Sequence, residues 1–312
     1  MHISVMRDRC VDLLSPAISL SENPVVVDAT LGMGGHTEAL LEKFSNLVVI
    51  GLDRDTEALA HATQRLARFG DRFVPVHTVF DQIDNVLSSR GIEKINGALF
   101  DLGVSSLQLD SAERGFSYSL DAPLDMRMDQ SRGISAYDII NTYEPGAIVG
   151  ILRKFGEEKF ASRIVENIVK IRAQAPISTT GQLAEIVKNS IPAATRRTGG
   201  NPNKRTFQAL RIAVNDELGA IERALPQALD HILVGGRVVV MSFQSLEDRI
   251  VKEIFADLVT SKSPRELPVE LPQFAPKFAL VFNSSEKPSQ EEIDANSRAA
   301  STRLRAIERV AA

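Results

Sequence analysis

The sequence contains no tryptophan, a single cysteine and no long apolar segment. Because Cys10 is alone, no internal disulfide can form, which fits a reducing compartment. No apolar run approaches the roughly 18 residues that a membrane span needs. Arg7, Asp8 and Arg9 interrupt the region where a signal peptide would carry its apolar core. We therefore expect a soluble cytoplasmic protein with no membrane partner.

Histidine and cysteine, the usual ligands of structural zinc, are also scarce. The five histidines are scattered along the chain and have no cysteine partners at ligand spacing: His2, His36, His61, His77 and His231. The net charge is −4, so any attraction to nucleic acid must come from a local basic patch. The sequence predicts no metal site and confines RNA contact to short basic segments.

The first hundred residues alternate β-branched runs with helical patterns. Strands are predicted within residues 24–30, 46–55, 72–80 and 95–105, each followed by a turn or a helix. Strands that alternate with helices indicate a parallel sheet with right-handed crossovers. The overall composition, 44% hydrophobic and 24% charged, is that of a globular protein with a sizeable core.

The pattern changes after about residue 110. Helical segments without strands follow an irregular polar stretch, and a long helix is predicted over residues 206–231. Buried-type strands return at residues 235–243 and 277–282. We therefore predict an α/β fold with a mostly parallel, doubly wound, Rossmann-like sheet. Its domain would comprise residues 1–110 and 206–312, interrupted by an all-helical insert at 111–205.

A glycine-rich turn, "DATLGMGGHTEALLEKF" (28–44), joins the first predicted strand to a helix. Such a turn lets the backbone approach a ligand and offers the free N–H groups of a helix N-terminus. Asp53 ends the second strand, where an acid accepts hydrogen bonds from ribose hydroxyls. Thr37 stands where a dinucleotide-binding loop needs its third glycine. The turn therefore favours S-adenosylmethionine, which has no pyrophosphate, and Asp28 suits its ammonium and sulfonium groups.

Two further positions follow from the strand pattern. Asp101 ends the fourth strand, which places it beside the same crevice, because ligands of open α/β sheets bind at the carboxyl ends of strands. The alternative for Asp101 is a turn or helix cap. Phe80 is predicted to end the third strand, where it either packs on a purine or belongs to the core.

Four stretches of the sequence together resemble one known family. They are "DATLGMGGH" (28–36), "FDLGVSSLQLDSAERGFSYSLDAPLDMRMD" (100–129), "RTFQALRIAVNDEL" (205–218) and "SFQSLEDRIVK" (242–252). These blocks resemble the ribosomal small-subunit methyltransferase H family (RsmH, also called MraW), and the resemblance covers nearly the whole chain. It implies a Rossmann-like methyltransferase domain with a helical insert. It also implies S-adenosylmethionine-dependent methylation of the exocyclic N4 of cytosine 1402 in 16S ribosomal RNA, near the decoding centre.

The resemblance also assigns site residues. It implies cofactor contacts at seven positions: Gly34, Gly35, His36, Asp53, Phe80, Asp101 and Gln108. Asp101 is the candidate catalytic residue, which would orient the cytosine amine or accept its proton. The sequence departs from common family members at Leu107, where many have proline, and at Gln244, where histidine is common. A C5 methylation is disfavoured because it needs a cysteine nucleophile, and Cys10 lies outside every strand-end motif.

A basic segment, "ATRRTGGNPNKR" (194–205), is the candidate RNA contact. It carries Arg196, Arg197, Lys204 and Arg205 with no acid between them. The alternative is a solvated loop that binds nothing, since runs of charged residues usually lie on the protein surface without a partner. A weaker basic candidate comprises Arg298, Arg303 and Arg305, whereas Met126 and Met128 are predicted to be packing residues.

Other functions remain open from the residues alone. The same fold serves methyltransferases of small molecules or proteins, because fold does not fix the substrate. A non-enzymatic sensor of an adenosine ligand is a further alternative, against which the acid at the end of the fourth strand argues weakly. The sequence leaves the oligomeric state undecided, with a homodimer among the alternatives.

Overall fold

The computed structural model describes residues 4–103, 112–193, 201–264 and 274–312. The chain forms two compact units. One comprises Met1–Gly103 and Leu218–Ala312, and the other comprises Val104–Glu217. Gln108, Arg196 and Arg197 lie outside the described residues.

The first unit contains one seven-stranded sheet. Its strands are β1 (Val25–Asp28), β2 (Val48–Asp53), β3 (Phe73–His77), β4 (Ile95–Asp101), β5 (Ile232–Ser242), β6 (Phe278–Leu280) and β7 (Arg303–Arg309). The spatial order is β3-β2-β1-β4-β5-β7-β6. The strands from β3 to β5 pair in parallel, whereas β7 runs antiparallel to both β5 and β6. The predicted mostly parallel Rossmann-like sheet is confirmed.

Helices cover the sheet and form the second unit. In chain order they are α1 (Arg7–Ser19), α2 (Gly35–Lys43), α3 (Thr56–Leu66), α4 (Ile83–Ser88), α5 (Ala136–Thr142), α6 (Pro145–Gly156), α7 (Ala161–Arg172), α8 (Thr180–Ser190), α9 (Lys204–Asn215), α10 (Glu217–His231), α11 (Ser245–Leu258) and α12 (Gln290–Ala295). Helices α5 to α9 belong to the inserted unit. In the described part of the chain, no helix is both long and apolar enough to cross a membrane.

Both faces of the sheet are buried, because successive strand residues point to opposite sides. Val26 of β1 packs with Leu14 of α1 and Leu40 of α2 in one core. Val27, the next residue, packs with Leu225 of α10 and Phe255 of α11 in the other. Because helices pack on both faces of the sheet, the strands are continuously apolar. Polar groups therefore gather at the carboxyl ends of the strands.

The inserted unit has a core of its own. Met126 is fully buried and Met128 is 6% exposed, which confirms that they are packing residues. The Asn215 side chain ties this methionine segment to α9, because it accepts from Met128 N at 2.8 Å and donates to Met126 O at 2.8 Å. The "LDMRMD" block is therefore part of the framework of the insert.

Two sequence predictions need correction. The helix predicted over 206–231 is broken, because Asp216 adopts a left-handed conformation (φ 47°) that ends α9 before α10 begins. Phe80 does not end β3, since that strand stops at His77 and Phe80 starts a short 3₁₀ turn. Arg303 and Arg305, two members of the weaker basic candidate, lie on β7 inside the sheet.

Candidate active site

Asp28, the last residue of β1, is buried beneath the glycine turn. Its Oδ2 accepts a hydrogen bond of 2.6 Å from the Thr37 hydroxyl, and its Oδ1 accepts one of 3.3 Å from Thr30 N. Burial raises the pKa of Asp28 to about 6, and these two donors oppose that rise. Thr37 thus has a function at the position where a dinucleotide loop has glycine: it holds the carboxylate in place.

Asp53, the last residue of β2, fixes the other side of the turn. Its Oδ2 accepts from Gly32 N at 2.7 Å, and its Oδ1 accepts from Asp55 N at 2.8 Å. Burial raises its pKa, and the two backbone donors oppose that rise. Each carboxylate oxygen can accept more than one hydrogen bond, so capacity for ribose hydroxyls remains.

The glycines of the turn are required by its geometry. Gly34 has φ +77°, a conformation that residues with a side chain rarely adopt. Gly35 begins α2, and a Cβ at this position would lie 2.2 Å from Ser4 Oγ. The segment before α1 therefore lies directly against the turn and contributes to the shape of the site.

His36 is buried just inside α2, and its two ring nitrogens face different groups. Nε2 lies 3.1 Å from the Val5 carbonyl oxygen, which can only accept, so Nε2 carries the proton. Nδ1 lies 3.8 Å from Asp101 Oδ2. Burial lowers the pKa of His36 to about 4, so the ring is neutral near pH 7 and the contact is not an ion pair.

Asp101, the last residue of β4, is the least satisfied acid of the site. Its backbone N–H donates to Thr30 Oγ1 at 2.6 Å, which fixes the end of the strand. Its Oδ1 is buried and has no hydrogen-bond partner among the described residues, although 28% of the side chain as a whole is exposed. Burial, followed by the negative charges of Asp28 and Glu247, raises the pKa of Asp101 to about 8.

Glu247 is a site residue that the sequence reasoning missed. It is 1% exposed, and its Oε2 accepts from Phe243 N at 2.8 Å and from Gln244 N at 3.0 Å. It sits three residues after Gln244, which precedes α11, so the pair forms a helix-capping arrangement. That capping spacing was the available sequence signal.

Phe80 lies at the edge of the core. Its ring packs edge-on against Phe100 with centroids 6.0 Å apart, and the Arg54 guanidinium lies 5.7 Å from its centroid. Phe80 is thus partly buried by β4 and follows β3 by three residues. Its predicted cofactor contact stays a prediction, as does that of Gln108, which the structure does not describe.

The basic candidates differ in their surroundings. Lys204 and Arg205 are exposed in the first turn of α9. Arg305, by contrast, forms a bidentate ion pair with Asp248, at 2.7 and 3.0 Å. Because a paired guanidinium has lost part of its capacity for phosphate, the segment with Lys204 and Arg205 is the better candidate for RNA.

The donor set fits a cationic adenosine ligand. Asp28, Asp53 and Asp101 gather at the strand ends around a glycine turn, and Asp101 Oδ1 is a buried acceptor to which no described group donates. A sulfonium or ammonium would compensate this concentration of acid groups, and Asp53 can accept from a ribose. Within the described ranges, no group of three metal-ligating side chains comes together.

Comparisons with known proteins identify the family of the chain. A family profile described as the MraW methylase family matches residues 1–310. Ribosomal RNA small subunit methyltransferase H of Renibacterium salmoninarum is 56% identical, over 99% of this chain and 95% of that protein. Proteins of the same name from Salinispora tropica and Pseudarthrobacter chlorophenolicus are 55% and 53% identical. Their alignments cover 99% and 100% of this chain and 84% and 96% of those proteins. The resemblance inferred from the motif blocks is thereby confirmed, and the chain belongs to the MraW methylase family.

Proposed function

We propose that this protein uses S-adenosylmethionine to methylate the exocyclic N4 of cytosine 1402 in 16S ribosomal RNA, in the cytoplasm. The observation that carries the proposal is the high identity, over nearly the full chain, to relatives named ribosomal RNA small subunit methyltransferase H. The cluster of strand-end carboxylates around a glycine turn supports the cofactor.

The cofactor supplies an electrophilic methyl group on a positively charged sulfur. The chain's own residues bind and orient it. Asp53 accepts hydrogen bonds from the ribose while it holds Gly32, and Gly34 and Gly35 let the backbone approach the ligand. Asp28, held by Thr37, places negative charge near the cationic end.

Asp101 acts on the cytosine amine. The N4 lone pair is delocalised into the ring, so the amine is a weak nucleophile that must be held in line with the methyl group. An acceptor at the end of β4 orients the amine through its N–H groups and takes a proton as the nitrogen is alkylated. The unpartnered Oδ1 of Asp101 is suited to both tasks.

The RNA contact is proposed for the helical insert. Lys204 and Arg205 begin α9 and are exposed, and the neighbouring Arg196 and Arg197 extend the same basic segment. These cations would bind phosphates, which positions the RNA without reading its sequence. The target base must leave its stack to reach a strand-end site.

Mass spectrometry of 16S RNA tests the substrate. RNA from a strain that lacks this gene is expected to lack the N4 methyl group at cytosine 1402, and re-expression of the protein restores it. A deletion strain whose RNA keeps the N4 methyl group would refute the proposed substrate.

Calorimetry of S-adenosylmethionine binding tests the cofactor site. Asp53→Ala removes the acceptor from Gly32 N and from the ribose, so affinity should fall at least about tenfold, as expected for hydrogen bonds to a charged group. Asp55→Ala is the matched control, because Asp55 caps α3 through Glu57 N and Ala58 N. It should lower stability while affinity stays within about twofold, since the cap contributes to helix stability. Equal affinity in Asp53→Ala and the parent would refute the assignment.

A further inference from the structure

The surroundings of Asp101 are short of positive charge. Asp28 of β1 and Glu247 of α11 both act on it electrostatically, and both are acidic. Asp101 also acts electrostatically on the Cys10 thiol of α1, and burial raises the pKa of this thiol, which keeps it uncharged. His36 of α2 is neutral. Among the described residues, the groups that face Asp101 therefore offer acids and neutral groups but no cation.

The His36 tautomer independently favours a protonated Asp101. Because Nε2 donates to the Val5 carbonyl, the nitrogen that faces Asp101 carries a lone pair. A lone pair 3.8 Å from a carboxylate oxygen is repelled by its negative charge, whereas an uncharged carboxylic acid at this distance is not. The surrounding charges and the position of the His36 ring thus both favour the acid form of Asp101 in the free protein.

We propose that Asp101 is a carboxylic acid in the free protein and that binding of a sulfonium ligand expels its proton, so that the carboxylate exists only when the methyl donor is present. This inference rests on the proposed methyltransferase function and deepens it. A positive charge near a buried carboxyl favours the ionised form, and no described residue supplies that charge. Binding of the ligand would therefore deprotonate Asp101 and so generate the base that the reaction needs.

The proton balance closes over one reaction. As the bond between N4 and the methyl carbon forms, the bond between that carbon and sulfur breaks, and its electron pair stays on sulfur. The alkylated nitrogen then gives one proton to an Asp101 carboxylate oxygen. The sulfur product is an uncharged thioether, so the newly protonated Asp101 faces no positive charge and is already in the state of the free protein. Product release then needs no separate deprotonation step.

The inference predicts a difference between two ligands of nearly equal shape. S-adenosylmethionine carries the sulfonium charge, whereas S-adenosylhomocysteine does not. Binding of the first should release a proton and strengthen as the pH rises toward the pKa of Asp101, which is about 8. Binding of the second should show neither effect.

Isothermal titration calorimetry in buffers of different ionisation enthalpy, such as phosphate and Tris, measures the released protons. At about pH 7, S-adenosylmethionine should release close to one proton, since a group titrating near pH 8 is then mostly protonated. Asp28 contributes little, because a group with a pKa of about 6 is mostly ionised at that pH. S-adenosylhomocysteine should release none.

Two variants sharpen the test. Asp101→Asn should abolish proton release while S-adenosylmethionine still binds, more weakly and without dependence on pH. Asp12→Asn is the matched control, because Asp12 is an exposed carboxylate of α1 with a side chain 62% exposed, and it should release as many protons as the parent. Should Asp101→Asn fail to fold, the comparison of the two ligands on the parent protein still decides.

Each outcome has a distinct meaning. Binding of S-adenosylmethionine without proton release overturns the inference and leaves the proposed function intact. Equal proton release by both ligands also overturns it, because the sulfonium charge would then not be the cause. Failure of the parent protein to bind S-adenosylmethionine at all overturns the proposed function together with the inference.

Discussion

The Thr37 hydroxyl donates a hydrogen bond of 2.6 Å to the Asp28 carboxylate, and both groups are fully buried. In a dinucleotide-binding loop this helix position is a glycine, because the helix packs closely on the strand. Here a hydroxyl occupies it and joins α2 to the end of β1. The turn is therefore built around a carboxylate rather than around a pyrophosphate.

Replacing Thr37 with valine should be costly. Valine keeps the shape but leaves a buried carboxylate without its closest donor, so the free energy of unfolding should fall by about 1–3 kcal/mol. Urea denaturation at pH 7 measures this change. Thr37→Ser retains the hydroxyl, so its free energy of unfolding should fall clearly less. Similar losses in the two variants would mean that packing, and not the hydrogen bond, determines the effect.

Asp101 should make the stability of the ligand-free protein depend on pH. Its folded pKa, about 8, lies above the ordinary value of 3.8, so folding favours the acid form. The resulting stability is complete at low pH and is lost as the pH rises to about 8, at no more than about 1.4 kcal/mol per pH unit. Asp101→Asn has no carboxyl group to titrate at this position. Its free energy of unfolding should therefore rise relative to that of the parent between about pH 6 and 8, and the difference should stay constant above pH 8. Urea denaturation across this range measures the difference, and a constant difference would contradict the raised pKa.

The effects of substitutions at Gly35 and Ser4 on S-adenosylmethionine binding should be coupled. A Cβ at residue 35 would meet Ser4 Oγ at 2.2 Å but Ser4 Cβ only at 3.4 Å. Gly35→Ala should therefore weaken S-adenosylmethionine binding by displacing the segment before α1, and Ser4→Ala in the same chain should restore much of the loss. A coupling of about 0.5 kcal/mol or more is expected for residues in contact. Additive effects in a double-mutant cycle of binding would show that the two positions act independently.

Gly115 in the "ERGFSY" block should tolerate no side chain. It has φ +72°, and a Cβ would lie 2.3 Å from the Pro123 carbonyl oxygen. Gly115→Ala combines backbone strain with a clash against main chain, so a loss above about 3 kcal/mol is expected. Gly133→Ala is the control, because Gly133 has φ +80° but no atom of the described part of the chain lies within 4 Å of its Cβ position. It should lose about 1–2 kcal/mol, the cost of a left-handed backbone alone. Thermal unfolding of the full chain compares the two, and equal losses would exclude the clash.

The sequence predicted the parts of the site that follow from the sheet. Parallel strands end at one edge, so locating Asp53 and Asp101 at strand ends was sufficient to place them together. The helical segments that the sequence predicts after residue 110 are also observed, as α5 to α8. These features depend on local pattern and on one topological rule.

The rest depended on contacts between distant segments. Glu247 reaches the site only because β5 pairs with β4, and the Val5 carbonyl sets the His36 tautomer from a segment 31 residues away. The seven residues of β7 form a strand because they fit between β5 and β6. The break at Asp216 needs a left-handed residue that helical periodicity does not reveal.

The pairing of β4 with β5 has a consequence for how the molecule assembles. Gly97 aligns with Arg237, so this parallel pair joins residues about 140 positions apart. Closing so long a loop costs chain entropy before the hydrogen bonds between the two strands can form. The longest pairing among β1 to β4 aligns Val26 with Gly97, about half that separation, whereas β5 must wait for the whole helical insert to be synthesised. Asp101 thus lies at the end of β4, between strands that we expect to form early (β1 to β3) and a strand that we expect to form late (β5). Refolding measured through the site should be slower than refolding measured through β1 to β3.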